Sequence, residues 1–86
     1  MKEHYYVYVL LSRRDGKLYI GFTNDVRRRL QQHARGEVIS TKNRRPFLLI
    51  HYEYFICKED AEAREVYLKS GAGHDQLKQI LKQTFQ

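Results

Sequence analysis

A predicted β-hairpin near the start of the chain restricts its fold more than any other feature of the sequence. Residues 5–11 are rich in aromatic and β-branched side chains, which is typical of a strand. Residues 13–16 predict a tight turn, because Asp-Gly tolerates the positive φ angles that a hairpin requires. Residues 18–22 form the returning strand. We therefore expect an antiparallel sheet that begins with these two strands.

One helix and one further strand are predicted after the hairpin. The helix covers residues 25–35, with Thr23 or Asn24 as its N-cap and Gly36 at its end. A polar, basic loop then leads to a long aromatic strand over residues 47–57.

Two helices complete the predicted fold. The second helix is predicted over residues 59–70, because acidic residues in its first turn favour a helix N-terminus. The glycines of residues 71–73 end that helix. The last helix covers residues 75–85, and its apolar stripe consists of Leu77, Ile80, Leu81 and Phe85. The order β-β-α-β-α-α predicts an α+β fold with a small, mostly antiparallel three-stranded sheet, in one domain over residues 1–86.

Length and composition exclude several classes of protein. A chain of 86 residues fits one domain, and Cys57 alone can form neither an internal disulfide nor a zinc cluster. The apolar run of residues 5–11 is far shorter than the ~18–20 residues of a membrane span, and no small-residue cleavage site follows it. We therefore expect a cytoplasmic protein with no membrane partner.

Positive charge is concentrated in one segment of the chain. Residues 13–45 contain ten Lys and Arg against three Asp and Glu, although the net charge of the whole chain is only +6. This distribution predicts a surface that binds phosphate groups, with a solvated basic surface as the alternative.

Polar side chains occupy predicted inward faces of the first two helices. In the first helix Val26, Leu30 and Ala34 define the apolar stripe at helical spacing, and Arg29 and His33 share that face. An ionised group that faces a core must find a partner or line a cleft.

The second helix repeats this pattern with a carboxylate. Glu65 lies between Ala61 and Leu68 on the inward stripe. Two interpretations remain open: Glu65 forms a purely structural ion pair with Arg29, or it is a ligand for a cation.

Two tyrosines of the hairpin, Tyr8 and Tyr19, can point to the same face of the sheet. Together with the Arg, His and Glu above they supply the groups that phosphodiester cleavage needs. These are a base for water, a cation for the phosphate and a carboxylate for a metal ion.

The chain resembles the GIY-YIG nuclease superfamily, and above all its short stand-alone members. The residues that carry the resemblance are Tyr6-Val7-Tyr8, Tyr19-Ile20-Gly21, Arg29, His33, Thr41-x-x-x-Arg45-Pro46 and Ala61-x-x-x-Glu65-x-x-x-Lys69. The first triplet departs from the superfamily's Gly-Ile-Tyr, as it does in other stand-alone members. The resemblance implies the GIY-YIG fold over nearly the whole chain.

The resemblance also implies roles for the matching residues. Tyr8 or Tyr19 acts as general base, Arg29 stabilises the phosphate in the transition state, and His33 contacts phosphate or assists proton transfer. Glu65 is the carboxylate that holds one Mg²⁺ or Mn²⁺. The predicted nucleic-acid contacts are Gly21, Arg28, Lys42, Arg44, Arg45 and Lys69.

The implied function is that of a metal-dependent endonuclease that hydrolyses DNA, in repair or recombination. The alternative is a nucleic-acid-binding module with the same fold that is non-catalytic or depends on a protein partner for substrate choice.

Overall fold

Three strands and three α-helices follow one another in the predicted order. The structure, a computed structural model, describes residues 4–86, so residues 1–3 of the predicted domain lie outside the described residues. The elements are β1 (Tyr5–Ser12), β2 (Leu18–Thr23), α1 (Val26–Ala34), β3 (Phe47–Phe55), α2 (Lys58–Lys69) and α3 (Gly71–Ile80). A short 3₁₀ helix, Lys42–Arg44, lies in the loop before β3. The predicted α+β class is confirmed.

β1 is the middle strand of the sheet and is antiparallel to both of its neighbours, in the order β2-β1-β3. The predicted turn joins β1 to β2, with Gly16 at φ +72°. Ser12 Oγ stabilises this turn, because it accepts hydrogen bonds of 3.1 Å from the backbone N–H groups of Arg14 and Asp15. The hairpin and the antiparallel sheet are therefore confirmed.

The apolar core lies on one face of this sheet, where α2 and α3 pack. Its buried members are Val7, Val9, Ile20, Ala61, Leu68 and Leu77. Successive side chains of a strand point to opposite faces, so Tyr6 and Tyr8 of β1 lie on the other face. That second face carries the candidate site.

The predicted N-cap of α1 is wrong. Asp25 is the cap, and its carboxylate accepts a hydrogen bond of 3.0 Å from the backbone N–H of Arg28. Thr23 Oγ1 instead accepts a hydrogen bond of 3.1 Å from the N–H of Asp25, in the turn that precedes the helix. A carboxylate at this position also interacts favourably with the helix dipole.

The predicted bounds of the last helix are also wrong. α3 begins at Gly71, because Ser70 Oγ accepts a hydrogen bond of 3.1 Å from the N–H of Gly73 and caps the helix. Gly73 is buried against α2, where a Cβ atom would overlap the backbone of Tyr67 and Leu68. The helix ends at Ile80, which is exposed, as is Phe85.

The helices of this fold are short. α2 has 12 residues, more than α1 or α3. Within residues 4–86, no helix combines the length and the apolar character needed to cross a bilayer.

Candidate active site

Tyr8 lies at the centre of the candidate site. Its side chain is buried between the sheet, to which Tyr8 belongs through β1, and α1. Tyr8 Oη lies 2.8 Å from His33 Nε2 and accepts a hydrogen bond of 3.4 Å from Arg29 Nε. Strand and helix therefore bring three of the predicted catalytic residues to one hydroxyl group.

His33 is the buried residue of α1. The predicted apolar stripe of this helix is wrong in part, because Ala34 is exposed and Val26 and Leu30 are only partly buried. α1 lies on the tyrosine-bearing face of the sheet, where His33 and Arg29 both contact the hydroxyl group of Tyr8.

Thr41, in the loop between α1 and β3, holds the other nitrogen of this imidazole. Thr41 Oγ1 lies 2.8 Å from His33 Nδ1 and donates a hydrogen bond of 3.3 Å to the carbonyl oxygen of Val38. Thr41 is fully buried. The two contacts fix the orientation of the imidazole ring.

These contacts also define the proton positions around His33. Burial, and then the charge of Arg29, lower the pKa of His33 to about 4, so the imidazole is neutral at pH 7. Because Arg29 donates to Tyr8 Oη, the proton of Tyr8 is directed at Nε2. The network thus assigns the ring proton to Nδ1, which donates to Thr41.

Tyr8 itself is a neutral phenol at neutral pH. Burial raises its pKa to about 12, and nearby Tyr19 and Glu65 act in the same direction, while the hydrogen bond from Arg29 opposes the rise. Tyr8 can therefore accept a proton only if it passes its own proton on. His33 Nε2 is positioned to receive it.

Tyr19 and Gly21 of β2 complete this side of the site. The Tyr19 ring centroid lies 6.3 Å from that of Tyr8 and 5.1 Å from that of His33. Gly21 pairs with Tyr8 across the hairpin, and a Cβ atom at Gly21 would overlap the phenol ring. Gly21 therefore makes room for Tyr8, and its predicted contact with nucleic acid stays a prediction.

Glu65 approaches the site from α2. Its neighbours on the helix face, Ala61 and Leu68, are buried as predicted. Glu65 Oε2 forms an ion pair with Lys69 Nζ at 3.0 Å. Arg29 Nη1 instead donates to Gln32 Oε1 at 2.9 Å, and no Arg29–Glu65 ion pair occurs in residues 4–86. The interpretation of Glu65 as a purely structural partner of Arg29 is therefore unsupported.

Glu65 is the one carboxylate among the predicted catalytic residues that could hold a hard divalent cation. In the part of the chain that the structure describes, no group of three or more His, Cys, Asp and Glu could hold a metal. Mg²⁺, however, usually keeps several waters and takes one or two carboxylates together with substrate phosphates. Glu65 is the carboxylate at this site that such an ion would use, and its Oε2 already contacts Lys69 Nζ.

Arg28 and Lys69 lie close to this centre. Arg28 and Arg29 line a groove of about 490 Å³ together with Gln32 and Lys58. Lys69 lies one helical turn beyond Glu65 and pairs with it. The predicted contacts of Arg28 and Lys69 with nucleic acid stay predictions.

The other predicted nucleic-acid contacts lie elsewhere. Lys42 and Arg45, together with His33, line a different groove of about 500 Å³, which Arg29 does not line. Arg44 Nε pairs with Asp15 Oδ2 at 2.7 Å. Arg45 donates to the carbonyl oxygens of Lys42, at 2.9 Å, and of Ala34, at 3.2 Å. Arg44 and Arg45 therefore hold the loop in place, and the structure does not bring these three cations to Arg29.

Sequence reasoning missed the contributions of Thr41 and Gln32. Thr41 was part of the motif that carried the resemblance, but no periodicity assigns a role to a loop residue eight positions after His33. Gln32 lies one turn after Arg29, and the i, i+3 spacing could have indicated their contact.

Several known proteins are similar to this chain. A family model described as the GIY-YIG catalytic domain matches residues 4–77. The UPF0213 protein of Oceanobacillus iheyensis is 38% identical over 81 residues, which are 93% of either chain. The UPF0213 protein of Streptococcus pneumoniae serotype 4 is 44% identical over 70 residues, which are 80% of this chain and 70% of the relative.

A solved structure shares the fold. The solution NMR structure of a UPF0213 protein from Bacillus halodurans is 38% identical, with a TM-score of 0.58, and covers 90% of this chain and 84% of its own. The family-model match over residues 4–77 includes the strands and helices that supply the residues around Tyr8.

Proposed function

The chain belongs to the GIY-YIG catalytic-domain family, and from this premise we propose that it is a divalent-metal-dependent endonuclease that hydrolyses phosphodiester bonds of DNA. The observation that carries the proposal is the hydrogen-bonded chain from Thr41 through His33 to Tyr8, beside Arg29. A merely structural tyrosine needs one partner for its hydroxyl group, whereas Tyr8 has a proton acceptor and a cation.

Tyr8 and His33 act as one base in this mechanism. The oxygen of a water molecule bonds to phosphorus while the bond between phosphorus and a sugar oxygen breaks. The proton of the water passes to Tyr8 Oη as the proton of Tyr8 passes to His33 Nε2, 2.8 Å away. The departing sugar oxygen takes a proton from solvent, and His33 later returns its extra proton to solvent through Tyr8, so the products are a phosphomonoester and an alcohol and the site is restored. This geometry favours Tyr8 over Tyr19 as the base.

Arg29 stabilises the negative charge that develops on the phosphate. Its guanidinium keeps further N–H donors beyond those bonded to Tyr8 and Gln32. Tyr8 and Tyr19 raise the pKa of Arg29, chiefly through the hydrogen bond to Tyr8, so the group stays charged.

Glu65 would hold the metal ion, Mg²⁺ or Mn²⁺. When bound, such an ion supplies Lewis-acid stabilisation of the transferring phosphate. Lys69 Nζ, 3.0 Å from Oε2 of Glu65, would keep this carboxylate oriented.

Cleavage of labelled plasmid, duplex, forked and single-stranded DNA, with and without Mg²⁺ or Mn²⁺, tests the proposal. We expect metal-dependent products that Glu65→Gln abolishes and that Arg29→Ala reduces by about 10²-fold or more. Glu62→Gln is the matched control, because Glu62 is an exposed carboxylate on the same helix. Circular dichroism must show that all three variants fold. Equal cleavage by Glu65→Gln and Glu62→Gln would refute the metal role.

A binding module without turnover is the second candidate function. The ion pair between Glu65 and Lys69 favours it, because an ammonium group already neutralises the carboxylate. This protein would bind nucleic acid in a salt-sensitive manner, with no metal-dependent product, or would cut only with a protein partner. A role in DNA repair or recombination in the cytoplasm remains part of the first proposal.

A further inference from the structure

Three tyrosines lie together on the face of the sheet that carries Tyr8, toward the β3 edge. Tyr6, Tyr52 and Tyr54 form this tyrosine patch. The Tyr6 ring centroid lies 6.1 Å from that of Tyr52 and 5.5 Å from that of Tyr54, with interplanar angles of 62° and 56°. Tyr52 is 55% exposed and Tyr54 49% exposed, so the α-helices leave this part of the face uncovered.

The patch forms one wall of a groove. Tyr6 and Tyr52 face residues of the first turns of α1 across a space of about 590 Å³, which has the size of a small-molecule cleft. Arg27 contributes a cation to this groove, and the Asp25 carboxylate there is engaged as the N-cap of α1.

The groove adjoins a second groove, which Arg29 of the candidate active site lines. Asn24 lines both the tyrosine groove and the groove of Arg28 and Arg29. Arg28 Nη2 donates to Asn24 Oδ1 at 3.3 Å, so a cation lies at the point where the two grooves meet. A polynucleotide backbone could pass over this point from one groove to the other.

We propose that the tyrosine patch stacks the bases of unpaired nucleotides and so directs single-stranded or locally unpaired DNA to the site around Tyr8. This inference rests on the proposed function. Exposed aromatic rings beside cations are the usual means of binding single strands, because every base offers a π-face. Bases inside a duplex are already stacked and cannot reach such rings.

The ring placement also rests on the fold. His4 Nδ1 lies 2.9 Å from Tyr54 Oη, and their ring centroids are 5.5 Å apart, so His4 supports Tyr54 at the outer end of the patch. Tyr52 pairs with Tyr8 across β1 and β3, so the inner end lies beside a catalytic residue.

Binding is measured by fluorescence anisotropy with a short labelled oligo(dT) and a duplex of equal length, in EDTA to prevent cleavage. We expect the double variant Tyr52→Leu/Tyr54→Leu to raise the Kd for oligo(dT) at least about tenfold and to leave the Kd for duplex nearly unchanged. Tyr52→Phe/Tyr54→Phe should bind like the wild type, because it keeps both rings. Tyr67→Leu, a change at an exposed tyrosine on α2, is the matched control.

A spectroscopic arm tests stacking directly. The chain contains no Trp, so Tyr52→Trp introduces a single reporter. Oligo(dT) should quench its emission, whereas Tyr67→Trp should show no such quenching. Arg27→Gln should lower the slope of log Kd against log salt by about 0.7, and Lys82→Gln should not.

Specific outcomes overturn the proposal. They are equal loss of oligo(dT) and duplex binding in the Leu double variant, unquenched emission from Tyr52→Trp, or a wild-type dimer that the Leu double variant abolishes. The last would make the patch a contact between copies of this chain.

Binding and cleavage fail separately in this design. If the wild type cuts DNA and the Leu double variant binds oligo(dT) normally, the patch proposal is wrong and the nuclease proposal stands. If stacking occurs without metal-dependent cleavage, the nuclease proposal fails and the patch remains as the binding surface of the second candidate function, a binding module without turnover.

Discussion

Replacement of Thr41 by Val tests the proton chain without touching any group that would contact DNA. The variant keeps the shape of the side chain but removes the hydroxyl group that His33 Nδ1 contacts at 2.8 Å. Without the hydroxyl group, the Nδ1–H of His33 would be buried without a partner, which lowers the free energy of unfolding by about 1–3 kcal/mol. The protein either loses this stability or moves the ring proton of His33 to Nε2. A proton on Nε2 would block the transfer from Tyr8.

The magnitude follows from the role of the base. General-base catalysis contributes about 10²–10⁴-fold, so we expect Thr41→Val to lower the single-turnover cleavage rate by about 10²-fold or more. Thr41→Ser keeps the hydroxyl group and should retain most of the rate. Its stability should fall by about 1 kcal/mol, because a buried methyl group is lost.

The assay combines cleavage with the ¹⁵N chemical shifts of His33. Wild type and Thr41→Ser should show the proton on Nδ1, whereas Thr41→Val should shift the population toward Nε2–H. Urea unfolding ensures that rates are compared only where each variant is folded. A folded Thr41→Val that cuts as fast as the wild type would refute the proton chain.

Two further predictions concern pH and packing. Since the pKa of His33 falls from 6.5 to about 4 on folding, its contribution to stability is present above pH 6.5 and is lost as pH falls toward 4. Between pH 7 and about pH 4.5 the wild type should lose about 2 kcal/mol more stability than His33→Gln in urea unfolding; equal losses would contradict the assignment. Gly21→Ala forces a Cβ atom into the ring of Tyr8, so it should destabilise the fold by about 1–3 kcal/mol and reduce cleavage. Unchanged thermal unfolding and cleavage of that variant would show that Tyr8 can move.

Local interactions explain which elements could be predicted from the sequence. The hairpin depends on residues close in the chain, with Gly16 in its turn, and the structure confirms it. The face of α2 that carries Glu65 was correct, because Ala61 and Leu68 lie at helical spacing and both are buried.

Predictions failed where neighbouring residues offered competing cap or turn signals, and where a helix packs through polar side chains. Thr23, Asn24 and Asp25 could each cap α1, and the turn geometry selects Asp25. The glycines of residues 71–73 were interpreted as a break, although Ser70 caps a helix that starts there.

The sequence by itself determined the order of strands and helices and singled out the candidate site residues, because these follow from local propensity, spacing and motif. Only the tertiary structure decided that His33 lies between Tyr8 and Thr41, and that Tyr6 meets Tyr54 across two strands. Tyr8 and His33 are 25 residues apart in the sequence, and they come together only when β1 has paired with its neighbours and α1 has docked on the sheet. Contacts between distant strands and a helix docked on a polar face produce no periodic pattern in the sequence. The proposed proton chain and the tyrosine patch could therefore be recognised only from the packing.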